Sequence, residues 1–267
     1  MQSNNKDEKE NKQLSEDLVA LFVTMLSYKN NKEFKKLLSM YKQNRDMLKD
    51  DIGKIYLNHI KDNEFHITQR EVTKEVNLLK PKLIKIGNDM RKQENVIIAY
   101  LLYKTYNDTY SKSVDIIGKY KDVDKSSHIL NNKTVMESLN TKINGKTNVI
   151  RNKENKDYFV NKVKKNIKKS LVAAKSIEII NGVIDKDFKD SITVSDRLVD
   201  NEVSRVFNMA ILLVYKETNI NRVMYNSTLD TNTCTECASN HGLEMDLSDA
   251  IDLPIHVRCN CFYTPLI

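Results

Sequence analysis

Tryptophan is absent from this chain of 267 residues, proline occurs three times and glycine six times. With so few residues that break regular structure, long helices joined by short polar connections are the expected outcome. No run approaches the roughly 18 consecutive apolar residues of a membrane-spanning helix, and the opening MQSNNKDEKENKQ has no apolar leader segment. A membrane partner is therefore not expected, and assembly in a cytoplasm is. Cysteine is missing until Cys234, and all four cysteines lie between Cys234 and Cys261. That clustering excludes a disulfide framework for the whole chain and points to a metal site or to reduced core thiols.

What is present is charge, unevenly placed. The chain carries a formal +7 with 40% apolar residues, a modest apolar share that suits helices with one buried stripe each. Residues 141–180 hold eleven Lys and Arg against three acids, whereas residues 230–267 hold six acids and one base, Arg258. The basic stretch can face nucleic acid or can be an ordinary solvated helix side.

Apolar residues recur at helical spacing along most of the chain. Residues 1–12 are set apart as a disordered polar arm. An N-terminal helical region follows over 13–120. Its stripes are Leu14, Leu18, Leu21, Phe22 and Met25, then Phe34, Leu38, Tyr41, Leu48, Ile52 and Ile55, then Val72, Val76, Leu79, Leu83 and Ile86. Pro81 predicts a kink or a new helix start. Val96, Tyr100, Tyr103, Tyr106 and Tyr110 continue the periodicity; this tyrosine stripe reads as a packing surface in preference to a base-stacking platform. Residues 121–155 are rich in Lys, Asn, Asp and Ser and are read as a polar linker. His59, His66 and His128 have no second ligand at metal spacing and are read as surface or capping residues.

From 156 to 267 the pattern is helical again and then changes. Phe159, Val163, Ile167 and Leu171 form a stripe flanked by Lys162, Lys164, Lys165, Lys168 and Lys169, the candidate DNA-contacting residues. Asn181-Gly182 predicts a helix stop and Ser195 a new start, with Val199, Val203, Val206, Phe207, Ala210 and Val214 as the next buried face. A cysteine-bearing module over 222–267 opens with a strand, RVMYNSTLD. Cys234 and Cys237 then form a CxxC pair, whose tight turn lets two thiolates meet one ion. His256, Cys259 and Cys261 supply the remaining donors. Cys259 and Cys261 share a face if the segment is extended, which makes the four cysteines the first choice of zinc ligands. His256 stands as a substitute ligand or as a hydrogen-bond donor behind them, since it reaches the same centre as Cys259 only across a turn. The alternative for all four thiols is burial as small hydrophobes.

The positions Glu202, Arg205 and Asn208 on one helix, then Leu229-Asp230, Thr233-Cys234 with Cys237, Gly242, Pro254, His256, Cys259 and Cys261, carry a resemblance. In order and spacing, residues 202–265 are similar to the C-terminal domain of the phage head morphogenesis family, the Mu F-like minor head proteins. Asp200-Asn201 and Asn260 depart from that family's pattern, which has Arg-Thr and Arg there. Composition and periodicity predict a mainly α fold of long helices with a small C-terminal α+β module, and the resemblance adds a functional expectation. It implies a non-enzymatic, few-copy protein inside the capsid of a tailed bacteriophage. Such a protein associates with the portal, contacts scaffold or major capsid protein and packaged DNA, and assists head assembly or DNA delivery. Two other readings stand beside it: a cellular zinc-knuckle nucleic-acid-binding protein, and a metal-dependent hydrolase using Asp230, His241 and His256.

Overall fold

The computed structural model describes the backbone of residues 2–229 and 233–267, and side chains from Lys9 onward within those limits. The fold is mainly helical with a small C-terminal sheet, as the scarcity of Gly and Pro requires. Among the described residues seven α-helices run in chain order: α1 Gln2–Leu26, α2 Lys32–Asn58, α3 Gln69–Ile117, α4 Asn132–Leu139, α5 Asn148–Val172, α6 Ile177–Glu217 and α7 Thr235–Asn240. A two-residue hairpin, β1 Ile60–Lys61 and β2 Glu64–Phe65, fills the break between α2 and α3. Asp62 and Asn63 both take positive φ at its turn, the conformation that short polar residues tolerate best. The second sheet is antiparallel in the order β4-β3-β5, with β3 Arg222–Asn226 between β4 Glu244–Asp246 and β5 Phe262–Leu266.

Several boundaries differ from the sequence expectation, each for a local reason. Helix α1 begins at Gln2, so the stretch read as a disordered arm is continuous with the stripe that follows. Helix α3 runs through Pro81 without ending; Leu79, Leu83 and Ile86 stay buried on either side of it. Thr68 starts this helix with a reciprocal cap: its hydroxyl accepts from the Glu71 N–H, and the Glu71 carboxylate accepts from the Thr68 N–H at 2.7 Å. The polar linker contains α4, capped by Asn131, whose side chain accepts from the Lys133 N–H, and the first turns of α5. Helix α6 is one element through both Asn181-Gly182 and Ser195. Ile180, Ile184 and Phe188 continue its buried stripe across the glycine, and Ser195 is buried at a side-chain contact instead of capping a helix. The end of α6 agrees with the sequence, which places it near Asn219: the helix closes at Glu217, Asn219 takes the left-handed region, and Ile220 N–H donates to the Tyr215 carbonyl. Among the described residues, no helix is long and apolar enough to cross a membrane.

The chain forms two compact units that do not follow the linear division into an N-terminal and a C-terminal region. The first comprises Met1–Asn31, Ile98–Lys142 and Val199–Ile267; the second comprises Lys32–Ile97 and Ile143–Leu198. Periodicity reveals that a helix has a buried side, not which other helix covers it. Helices α3 and α6, at 49 and 41 residues, are long enough to contribute one portion to each unit.

The core of the first unit sits between α1, the late turns of α3 and α6, and the sheet. Leu14, Leu18 and Phe22 meet Tyr110, Val114, Phe207, Ile211, Val223 and Phe262 there. Phe22 stacks on Phe262 with ring centroids 4.3 Å apart and meets Phe207 edge-on at 4.8 Å. Of the tyrosine stripe, Tyr106 and Tyr110 are buried, while Tyr100 and Tyr103 are exposed. In the second unit, α5 buries Phe159, Val163, Ile167 and Leu171 together with a charged residue, Lys156. The Lys156 ammonium lies 2.6 Å from Glu94 Oε2, and the two side chains are 2% and 0% exposed. Lys156 also donates to Ser195 Oγ at 2.9 Å, and the Tyr41 hydroxyl lies 2.7 Å from that same oxygen.

Candidate metal centre

The cysteine module is held against α6 by polar side chains that reach its backbone. Asn208 Nδ2 donates to the Cys261 carbonyl at 3.0 Å, and Ser204 Oγ donates to the Cys259 carbonyl at 3.1 Å. Both donors are buried, so each bond satisfies a carbonyl that has no access to water. One turn earlier, Arg205 forms a buried pair with Glu202 at 2.8 Å and donates to the Ser138 carbonyl at 2.7 Å. Glu202, Arg205 and Asn208, which the sequence singled out as a motif, therefore tie α6 to α4 and to the cysteine loop. Gly242 takes φ +81° and its N–H donates to the Tyr225 carbonyl, closing the turn that leads into β4. Pro254 follows a cis peptide bond at Leu253. Asp230 lies outside the described residues.

Above this platform the five sequence-predicted donors come together. Cys234 caps α7, and its sulfur accepts from the Cys237 N–H at 3.3 Å. His256 Nε2 lies 3.1 Å from Cys234 Sγ and 3.0 Å from Cys237 Sγ. Cys237 Sγ is also 3.8 Å from Cys259 Sγ. The donors form two triads that share Cys237: Cys234, Cys237 and His256, and Cys237, Cys259 and Cys261, each with its ligand atoms mutually within 4.8 Å. Cys237, Cys259 and Cys261 are buried and the four thiols are free. Zinc accepts this donor chemistry, thiolate sulfur and imidazole nitrogen in a compact tetrahedral set. The residues form a Cys/His metal-binding cluster of the kind the CxxC spacing predicts.

The electrostatics separate the thiols. The Cys237 N–H favours the Cys234 thiolate, while burial pushes the Cys237 thiol up. Cys261, beside Cys259, lowers its thiol, while Cys259 and burial raise that of Cys261. The Val257 carbonyl, 3.0 Å from His256 Nδ1, raises the histidine.

A cavity of about 570 Å³ opens over the cluster, lined also by Lys29, Asp200, Thr233 and Arg258. Two of the three positions that depart from the resembled pattern meet Arg258: the Asn201 carboxamide accepts the Arg258 N–H at 2.7 Å, and Asp200 lies 3.8 Å from Arg258 Nε. Sequence reasoning missed Ser204, Asn201 and Tyr225, whose hydroxyl points at Cys237 Sγ from 3.6 Å. Nothing in their spacing marks them, because their roles depend on which strand returns to α6.

The candidate DNA-contacting lysines are not equivalent. Lys162 is bound by Asp190 at 2.7 Å and Asp187 at 3.3 Å, which raises its ammonium and withdraws it from solvent ligands. Lys164 is half-buried, and Lys165, Lys168 and Lys169 are exposed. In comparisons with protein-family models, curated proteins and solved structures, nothing matches this chain.

Proposed function

We propose that this chain is a non-enzymatic binding protein whose C-terminal module is braced by one structural zinc ion, and that it serves as a minor head protein of a tailed bacteriophage. The observation that carries the metal half is the convergence of four thiols and one imidazole around Cys237. A site that fills four positions with protein donors leaves none for a reactive water, which favours bracing over hydrolysis.

The head-protein half rests on the motif resemblance, and the platform supports it. Glu202, Arg205, Asn208, Gly242 and the cysteines act as one cooperating set in space, so the motif describes a structural unit and not a chance series. Expected partners are the portal protein, with scaffold or major capsid protein as further contacts, in the capsid interior after assembly in the host cytoplasm. Co-expression with the portal and capsid proteins of a phage that encodes this chain tests it. The chain should co-sediment with heads and be absent from heads assembled without portal.

The metal cluster taken alone fits a second reading better, a zinc-knuckle nucleic-acid-binding protein. That reading predicts exposed aromatics interleaved with basic residues in the module. Phe262 and Tyr263 are instead buried, and residues 230–267 carry one base, Arg258, against six acids. Binding of single-stranded nucleic acid that disappears on chelation, with no association with heads, would decide for this second reading.

A further inference from the structure

Five donors surround a centre that takes four, and the backbone distinguishes them. Each half of the site is a pair of residues three apart, closed by a turn. Cys234 and Cys237 are joined by the N–H···S bond at the start of α7. His256 and Cys259 are joined by the Cys259 N–H to the His256 carbonyl at 3.2 Å, with Arg258 at φ +61° completing the reversal. This is the turn His256 requires in order to reach the same centre as Cys259. The His256 ring is also oriented for coordination: Nδ1 faces the Val257 carbonyl, so a proton there leaves the Nε2 lone pair pointing at Cys234 and Cys237.

Distances agree with this arrangement. Zinc–sulfur bonds of about 2.3 Å place tetrahedral thiolates about 3.8 Å apart, and a sulfur and an imidazole nitrogen about 3.6 Å apart. Cys237 and Cys259 are separated by 3.8 Å, the His256 contacts at 3.0 and 3.1 Å would widen by about half an ångström, and closing the set would draw Cys259 toward Cys234 and His256, with which it is not mutually within 4.8 Å. Cys261 is placed differently. It directly precedes β5, whose register is fixed by Phe262 opposite Asn226, and its carbonyl is held by Asn208. Its thiol lies within 4.8 Å of those of Cys237 and Cys259, but it is Cys259 that closes the turn with His256 and comes to 3.8 Å from the Cys237 sulfur.

We infer that Cys234, Cys237, His256 and Cys259 are the four zinc ligands, and that Cys261 is a buried thiol packed beside Cys237 and Cys259 behind the site. This assignment rests on the zinc reading above and sharpens it, because it turns the CxC pair into one ligand and one positioning residue.

Zinc X-ray absorption on the zinc-loaded full-length chain tests it without any substitution. The expected fit is three sulfur scatterers and one nitrogen. Cys261→Ser should keep one zinc and that same spectrum while weakening zinc about 10–100-fold, the usual cost of losing a group that orients a ligand. Cys259→Ser should lose one sulfur scatterer and His256→Ala the nitrogen. Four sulfurs in the unsubstituted protein, or loss of a sulfur in Cys261→Ser, overturns the assignment and leaves the zinc reading standing. A chain that takes up no zinc at all overturns both.

Discussion

Burying Lys156 against Glu94 removes two charges from water, a cost that their mutual attraction and the hydroxyls of Ser195 and Tyr41 must offset. Burial alone would lower the lysine, but Tyr41 and Glu94 outweigh it and hold the ammonium above the usual range. Glu94 Oε1 has no hydrogen-bond partner among the described residues, so the carboxylate depends on Lys156. Lys156→Ala should therefore destabilise the protein by about 3–5 kcal/mol, because it leaves a buried carboxylate unpaired. The double variant Lys156→Met with Glu94→Leu should recover most of that loss. Urea denaturation midpoints of the single and double variants give the comparison, and a single variant within about 1 kcal/mol of the parent would show that water reaches Glu94. This pair was partly legible in the sequence. Counting back from Phe159 by three and then four residues lands on Lys156 and Asn152, both in the apolar stripe of α5 and both buried. A lysine at a stripe position signals a buried partner, but nothing in the spacing names Glu94.

Helices α3 and α5 approach closely at Gly87. A methyl group there would sit 2.4 Å from Val160 Cγ2, and a valine on a helix has one strongly preferred rotamer with which to yield. Gly→Ala in a helix interior ordinarily stabilises by roughly 1 kcal/mol. Here the sign should reverse, with Gly87→Ala costing about 1–3 kcal/mol. Adding Val160→Ala should restore stability, a pairwise coupling readable from thermal or urea unfolding. Single-sequence reading treats Gly87 as an unremarkable member of a stripe, since close approach is a property of two helices and not of one. The same limit explains α6. Gly182 looks like a stop because glycine commonly terminates helices, yet Ile180 and Ile184 bury their side chains on either side and carry the helix through. The stripes of α1 and α5 were legible because each repeats without interruption, and so was the CxxC knuckle, whose geometry is local; the α2 stripe breaks between Tyr41 and Leu48, and its Leu38 is exposed while Leu37 and Met40 are buried. The His256–Cys259 turn depends on a left-handed Arg258, which no residue preference announces.

At the scale of the whole chain, two predictions concern its ligands. Chelation should lower the thermal stability of the first unit, because thiolate and imidazole ligands add binding free energy to the folded state. Hydrogen exchange should rise in α7, β3 and β5 while the amides around Lys156 and Glu94 keep their protection. Because the thiols and His256 must lose protons to bind, zinc retention should also fall as pH decreases, which metal analysis across a pH series measures. Basic helix α5 offers the second test. Lys165, Lys168 and Lys169 are exposed, so replacing these three with glutamine should weaken duplex binding and lower its log–log salt slope by about 2–3, at roughly 0.9 per phosphate contact. Lys162 is best left in place because Asp187 and Asp190 hold it. No duplex binding at about 50 mM salt would make this face a solvated or protein-facing surface.

The interleaving of the chain also has a consequence in time. Asn11 and Ile267, 256 positions apart, exchange two hydrogen bonds between the Asn11 side chain and the Ile267 backbone, and Phe22 stacks on Phe262. Every residue of the second unit has been made once Leu198 has. Helix α1 is made well before β5 and must wait for it. At about 5–20 residues per second that delay is roughly 13–50 s. Throughout it Leu14, Leu18 and Phe22 have no β5 to cover them, so a ribosome carrying this chain holds out an uncovered apolar helix. Pulse-labelled nascent chains should be captured by a chaperone through residues 14–25 until β5 emerges, and released once it has.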